Sequence, residues 1–203
     1  MKQLLILFLG ISLLQAQIKE VKIGQQVWMA QNLNVDKFRN GDPIPEAKSE
    51  EEWIKAGNNK QAAWCYYNND SSNGTKYGKL YNWYAVNDPR GLAPKGWHIP
   101  SDKEWDVLTN GKFQAGAKMK SKEGWNYNGN GTNSSGFSGL PGGYRGSNGA
   151  FSPISLYGYW WSSTENVTSD AWDRRLSYNS GIVDRASISK GMGFSVRCLR
   201  DSR

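Results

Sequence analysis

Gly96-Trp97-His98-Ile99-Pro100-Ser101-Asp102-Lys103-Glu104-Trp105-Asp106-Val107-Leu108 runs a short apolar strand straight into a helix. Ser101 is placed as the N-cap, and Glu104, three residues on, can accept a hydrogen bond from the Ser101 backbone N–H. Pro100 and Trp105 occupy the flanking positions of a hydrophobic staple. Asp102 and Glu104 fall in the first turn, where the helix dipole favours carboxylates. The stretch also holds His98, the single histidine of the chain. Its position between Trp97 and Ile99 favours a hydrogen-bonded structural role over a general base, which needs a nucleophile or substrate proton in reach. Trp97, His98, Pro100, Ser101, Glu104 and Trp105 are therefore expected to form the joint between a helical first half and a sheet.

The chain has 203 residues, the length of one domain. It opens Met1-Lys2-Gln3, continues with an apolar run from Leu4 to Leu14, and reaches Gln15-Ala16-Gln17. One lysine, a short apolar core and a small residue match a secretory signal peptide over residues 1–16, leaving a single domain over 17–203. The run is too short to span a bilayer, and no lipoprotein cysteine follows it. The mature chain is thus expected to be secreted, periplasmic or at the cell surface, with no integral membrane segment. Formal net charge is +7, and removing Lys2 leaves +6. The basic residues are scattered and no nucleic-acid motif accompanies them, so a nucleic-acid partner is not expected.

Taken in order, Val21-Lys22-Ile23 and Gln26-Val27-Trp28-Met29 read as strands around a turn at Gly24. Ser49 and Glu52 form a second capping box, for a helix ending near Gly57. Ala63-Trp64-Cys65-Tyr66-Tyr67 reads as a strand, and the spacing of Leu80, Trp83 and Tyr84 predicts a helix over 77–86. The helix after Ser101 should end at Asn110-Gly111. Residues 116–150 are rich in Gly, Asn and Ser with little regular structure. Four strands are expected after them, within 159–163, 171–178, 182–188 and 193–199, with Asn179-Ser180-Gly181 as a hairpin loop. In the last, Phe194, Val196 and Cys198 alternate with Ser195 and Arg197, which predicts one buried face. Helices in the first half and antiparallel strands in the second imply an α+β fold.

Catalytic patterns are sparse. One histidine and two distant cysteines offer no familiar metal-ligand spacing, and no nucleophile elbow, P-loop or dinucleotide fingerprint occurs. No enzyme activity, cofactor or metal is expected. Cys65 and Cys198 make an even count, which in an exported chain favours one disulfide worth about 4 kcal/mol; two buried thiols are the alternative. Ten Trp and ten Tyr are the strongest compositional signal. Trp28, Trp83, Trp97, Trp105 and Trp161 lie in patterned elements and should be core. Trp125, Tyr127, Tyr178 and Trp172 lie in or near turn-rich surroundings and are the candidates for exposure.

Six segments resemble the Fibrobacter succinogenes major paralogous domain family of exported bacterial proteins. They are Ile23-Gly24-Gln25-Gln26-Val27-Trp28-Met29-Ala30-Gln31-Asn32-Leu33, Tyr77-Gly78-Lys79-Leu80-Tyr81-Asn82-Trp83, Gly96-Trp97-His98-Ile99-Pro100-Ser101, Leu140-Pro141-Gly142-Gly143-Tyr144-Arg145, Tyr159-Trp160-Trp161-Ser162-Ser163 and Phe194-Ser195-Val196-Arg197-Cys198. Some members carry a cysteine just before the Pro-x-Gly-Trp-His segment. Ala93 stands there in this chain, which leaves Cys65 as the partner for Cys198. The family is similar to the C-type-lectin-like superfamily and its formylglycine-generating branch. That likeness implies two main helices with a small twisted antiparallel sheet and long loops, without implying activity. The paired cysteines of the formylglycine-generating branch and the calcium motifs of sugar-binding lectins are absent from the sequence. The run from Trp160 to Arg197 also resembles the variable region of lectin-fold proteins diversified by retroelements. By that likeness Tyr178, Asn179, Asp184, Arg185, Ser187 and Ser189 are display positions on the hairpin, and Trp172, a candidate for exposure, is added to them as a ligand-binding residue. The expected role is that of an exported, non-catalytic recognition domain for a glycan or a surface protein; an enzyme related to the formylglycine-generating branch and a structural cell-envelope component are the alternatives.

Overall fold

In the computed structural model, which describes residues 18–109 and 114–202, the chain opens with a hairpin of β1 (Glu20–Ile23) and β2 (Gln26–Met29). Ile23 pairs with Gln26, so Gly24 and Gln25 alone form the turn. α1 (Glu50–Asn58) follows and is started by the expected capping box. Glu52 N donates to Ser49 Oγ, and Ser49 N to Glu52 Oε2, both at 3.2 Å. β3 (Trp64–Cys65), α2 (Gly74–Tyr77), β4 (Leu80–Tyr81) and α3 (Trp83–Val86) come next.

The helix expected over 77–86 is not formed. Gly78 has φ +74°, and a Cβ there would sit 2.7 Å from the Leu33 carbonyl oxygen, so the chain turns out of helix at this point. Leu80 and Tyr81 then pair with Cys65 and Trp64. A helix resumes only where Asn82 caps it, accepting from Ala85 N at 3.0 Å. Leu80 and Trp83 are both buried, one from a strand and one from a helix, and this produced the helical spacing.

β5 (Trp97–His98) leads into α4 (Asp102–Thr109), whose start agrees with its capping signals: Ser101 N donates to Glu104 Oε2 at 2.8 Å and Glu104 N to Ser101 Oγ at 3.3 Å. The expected end at Asn110-Gly111 lies outside the described residues. α5 (Ala115–Met119) appears where little regular structure was expected. β6 (Tyr157–Val167), β7 (Asp170–Ser177) and β8 (Asp184–Ser189) form an antiparallel meander, and β9 (Leu199–Arg200) closes the first sheet.

The expected C-type-lectin-like α+β arrangement of two main helices beside one small sheet is overturned. Among the described residues nine strands form three sheets, in orders β1-β2-β9-β5, β3-β4 and β6-β7-β8. The longest helix among the described residues, α1, has nine residues. Helices this short bury little surface, and indoles provide the framework instead. Trp28, Trp53, Trp105, Trp160 and Trp161 are fully buried. Three of their ring N–H groups join distant segments: Trp53 to Gly191 O, Trp161 to Tyr81 O, and Trp160 to Asn32 Oδ1. Trp28 and Trp105 pack 4.8 Å apart, centroid to centroid, at the joint that holds β2 against α4.

Two further expectations fail in the core. Only Leu199 and Arg200 of the last stretch lie in a strand, while Phe194 and Ser195 make single bridges to Tyr81 and Trp160. Both sides of this stretch are buried, because it threads between the sheets. Cys65 and Cys198 are free thiols in different core clusters, Cys65 with Ala47 and Trp53, Cys198 with Met29 and Phe194. The packing of β3 and the last stretch against different neighbours keeps them apart. Burial pushes the Cys65 thiol up to about 11 and the Cys198 thiol up to about 12.

Candidate functional site

Cross-strand register determines which side chains of the β6-β7-β8 sheet meet. Tyr157 pairs with Ser177, Tyr159 with Arg175 and Trp161 with Asp173; on the other side Arg175 pairs with Asp184 and Asp173 with Ala186. Paired residues share a face, so Tyr157, Tyr159, Asp173, Arg175 and Asp184 stand together.

Tyrosines extend this group into a continuous run of ring contacts. Tyr144 meets Tyr159 at 5.0 Å, Tyr159 meets Tyr157 at 6.0 Å, Tyr157 meets Tyr178 at 6.4 Å and Tyr178 meets Tyr127 at 5.4 Å. Tyr159 is stacked on buried Phe194 at 4.8 Å, which anchors the run to the core. Tyr127 is 79 % exposed, and the other four are half-buried.

The loops that supply the outer rings are held by specific contacts. Trp125 N donates to Asn130 Oδ1 at 3.0 Å, closing the turn that presents Tyr127. Gly129 sits so close to Tyr178 that a Cβ would lie 2.5 Å from its carbonyl oxygen, so glycine is required for the approach. Tyr144 is fixed through its neighbour Arg145. That guanidinium is buried and donates to the carbonyls of Ala47, Ser49 and Gly149 while lying over the rings of Trp53 and Phe151.

Charge is concentrated at the Tyr159 end. Arg175 binds Asp184 Oδ2 through Nη2 at 3.2 Å and lies 6.0 Å from the Tyr159 ring centre. Asp173 is 2 % exposed, and its Oδ1 has no hydrogen-bond partner. Burial pushes the Asp173 carboxyl up to about 7, against the pull of Arg175 and Arg174.

The hairpin residues expected to form one display surface are divided between two faces. Tyr178 is in the tyrosine run, Asn179 is exposed beside it, and Asp184 is tied to Arg175. Trp172 and Arg185 lie on the opposite face, where the Arg185 guanidinium stacks 3.3 Å from the Trp172 ring centre and binds Asp102 through Nη2 at 2.8 Å. Arg174 joins them, binding Asp102 at 2.7 Å and Asp106 at 2.8 Å, so this face is engaged by α4. Ser187 pairs with Trp172 and accepts from Asn166; Ser189 pairs with Asp170 and accepts from the Gly191 backbone. Trp125, expected to be exposed, is buried, with its indole donating to Ser121 Oγ and Gly139 O.

Tyr144, Tyr157, Tyr159, Asp173 and Arg175 were not anticipated. The alternation Tyr157-Gly158-Tyr159 in a strand does carry a signal, since residues two apart share a face. Tyr144 carries none.

At the joint, Trp97, Pro100 and Trp105 are buried. His98 bridges two carboxylates, with Nε2 at 2.9 Å from Glu104 Oε1 and Nδ1 at 2.8 Å from Asp201 Oδ1. Asp102 N donates to Thr164 Oγ1 at 2.9 Å, pinning the start of α4 to β6. Among the described residues, no helix is long and apolar enough to cross a membrane.

No curated protein matches the chain. Residues 21–200 match the model described as the Fibrobacter succinogenes major domain, a span that takes in both the joint and the tyrosine-bearing sheet. The chain belongs to the Fibrobacter succinogenes major domain family.

Proposed function

We propose that the chain is an exported, non-catalytic recognition domain whose tyrosine-faced surface binds a glycan. The observation that carries this reading is the linked run of Tyr144, Tyr159, Tyr157, Tyr178 and Tyr127. Each ring offers an apolar face for the C–H side of a sugar and a hydroxyl for its polar rim. Arg175 and Asp184 add a charged donor and an acceptor at one end. The rings pack on one another and, through Tyr159, on Phe194, so binding costs little side-chain entropy. The leader read from residues 1–16 takes the domain to where extracellular glycans are met.

Tyr and Arg are also the residue types enriched at protein–protein hot spots, which makes a surface protein the second reading. A glycan panel followed by calorimetry separates them. Tyr157→Ala and Tyr127→Ala are each expected to weaken glycan binding about tenfold, the equivalent of roughly 1.4 kcal/mol. Arg185→Ala, on the opposite face, is expected to leave it unchanged. Glycan affinity indifferent to both tyrosine variants would rule the assigned surface out.

A further inference from the structure

A second cleft, sharing no residue with the tyrosine run, encloses about 350 Å³ between residues 30–32, 121–123 and 133–140. Its charge is one-sided. Lys76, Lys122 and Arg197 line it, against the carboxylate of Glu123. The Lys76 and Lys122 side chains are exposed, whereas Arg197 is 1 % exposed.

Arg197 directs its hydrogen bonds to neutral acceptors. Nε and Nη2 donate to Asn32 Oδ1 at 3.1 and 2.7 Å, and Nη1 donates to Met29 O and Phe137 O. Its guanidinium also lies 4.4 Å from the Phe137 ring centre. Carbonyl dipoles and a ring face satisfy its geometry, but they do not supply a counter-charge. Burial accordingly opposes its charged state and pulls its pKa down to about 9. Charge–charge attraction strengthens as the dielectric falls, so an anion at the mouth of this cleft would gain more from Arg197 than from a lysine in open solvent. Gln31, also exposed at the rim, offers a carboxamide donor, and the two lysines supply exposed ammonium groups, that of Lys76 lying 5.1 Å from the Tyr77 ring centre.

We propose that this cleft binds a single oxyanion group, carried either by a free inorganic anion or by an acidic saccharide. Arg197 supplies fixed positive potential from below, and Lys76 and Lys122 close on the anion from the rim. Glu123 sets the limit on affinity, because it is the acidic residue lining the same space.

Thermal unfolding of the purified chain tests this in low-millimolar sodium sulfate, sodium phosphate or an oligogalacturonate, each against sodium chloride at equal ionic strength. A bound anion is expected to raise the midpoint by roughly 3 °C or more. The rise should vanish in the Lys76→Gln/Lys122→Gln variant, whose changes are at exposed positions, and persist in Tyr157→Ala. A rise with sulfate or phosphate identifies a free oxyanion as sufficient; a rise with oligogalacturonate alone identifies the saccharide-borne group. Equal midpoints in every solution, or a rise that survives the double lysine substitution, would overturn the proposal. Loss of glycan binding in Tyr157→Ala bears on the tyrosine surface alone.

Discussion

Asn32 and Arg197 are joined through one oxygen: Asn32 Oδ1 accepts from Arg197 Nε at 3.1 Å and Nη2 at 2.7 Å, and also from Trp160 Nε1 at 2.9 Å. The Asn32 amide nitrogen meanwhile donates to Tyr77 O and Ser195 Oγ. One carboxamide thus binds the segment after β2, the end of α2, β6 and the last stretch. Asn32→Ala leaves a buried guanidinium and a buried indole short of an acceptor. A loss of about 3 kcal/mol is expected in denaturant unfolding, the scale for leaving buried donors, one of them charged, without their acceptor.

The two thiols predict a simple chemical result. With Cys65 and Cys198 free and buried, the native chain should react with a thiol reagent only slowly, and both sites should react once it is unfolded. Its unfolding midpoint should be the same with and without reductant. No modifiable thiol in the unfolded, unreduced chain would show that a bridge had formed.

Asp173 makes stability depend on pH in a direction opposite to that of a paired carboxylate. Its folded pKa of about 7 lies above the unfolded value near 3.9, so the fold favours the protonated form. The contribution is complete below about pH 4 and is lost as pH rises through about 7. Asp173→Asn removes this group, and the variant should gain on the wild type between pH 4 and pH 8. The gain should reach a few kcal/mol, at about 1.4 kcal/mol per pKa unit. Parallel stability–pH curves for the two proteins would contradict this.

Glu104 titrates in the opposite direction. Burial raises its pKa, but the Ser101 backbone N–H and hydroxyl and the His98 ring outweigh that and hold it below the usual range. The stability it contributes is present above the unfolded pKa near 4.3 and is lost as pH falls through the lower folded value. Ser101→Ala should cost about 1 kcal/mol near neutral pH, as should Ser49→Ala at the start of α1. Equilibrium denaturation of the two variants measures both.

The proposed binding face is separated by register from the face that α4 engages. Arg185→Ala should lower stability through loss of its Asp102 contact and its stacking on Trp172, with glycan affinity intact. Tyr178→Ala should do the reverse, lowering affinity with a smaller effect on stability. Calorimetry and thermal melts on the same two variants give both readings.

Features specified within a few residues were legible in the amino-acid order. Ser49 with Glu52, and Ser101 with Glu104, announce their helices because a capping box closes over three residues. The turn at Gly24 announces the first hairpin in the same way. The burial of Trp28, Trp83, Trp97, Trp105 and Trp161 follows from their places in patterned elements. Segments 77–86 and 193–199 were misread for a different reason. Their apolar spacing reports burial, while the element they adopt is decided by partners far along the chain: Cys65 for Leu80, and Trp160 for Ser195.

By itself, then, the sequence determined the starts of α1 and α4, the first hairpin and most of the aromatic core, all of them consequences of short-range hydrogen bonding and periodicity. Only the tertiary structure decided that, among the described residues, nine strands in three sheets replace a two-helix arrangement, that Cys65 and Cys198 remain unpaired, and that the hairpin residues divide between two faces. Those outcomes depend on strand register and on contacts between residues distant in the chain. Tyr144 and Tyr159 are neighbours because two segments dock, and Arg185 is drawn away from Tyr178 because α4 supplies Asp102.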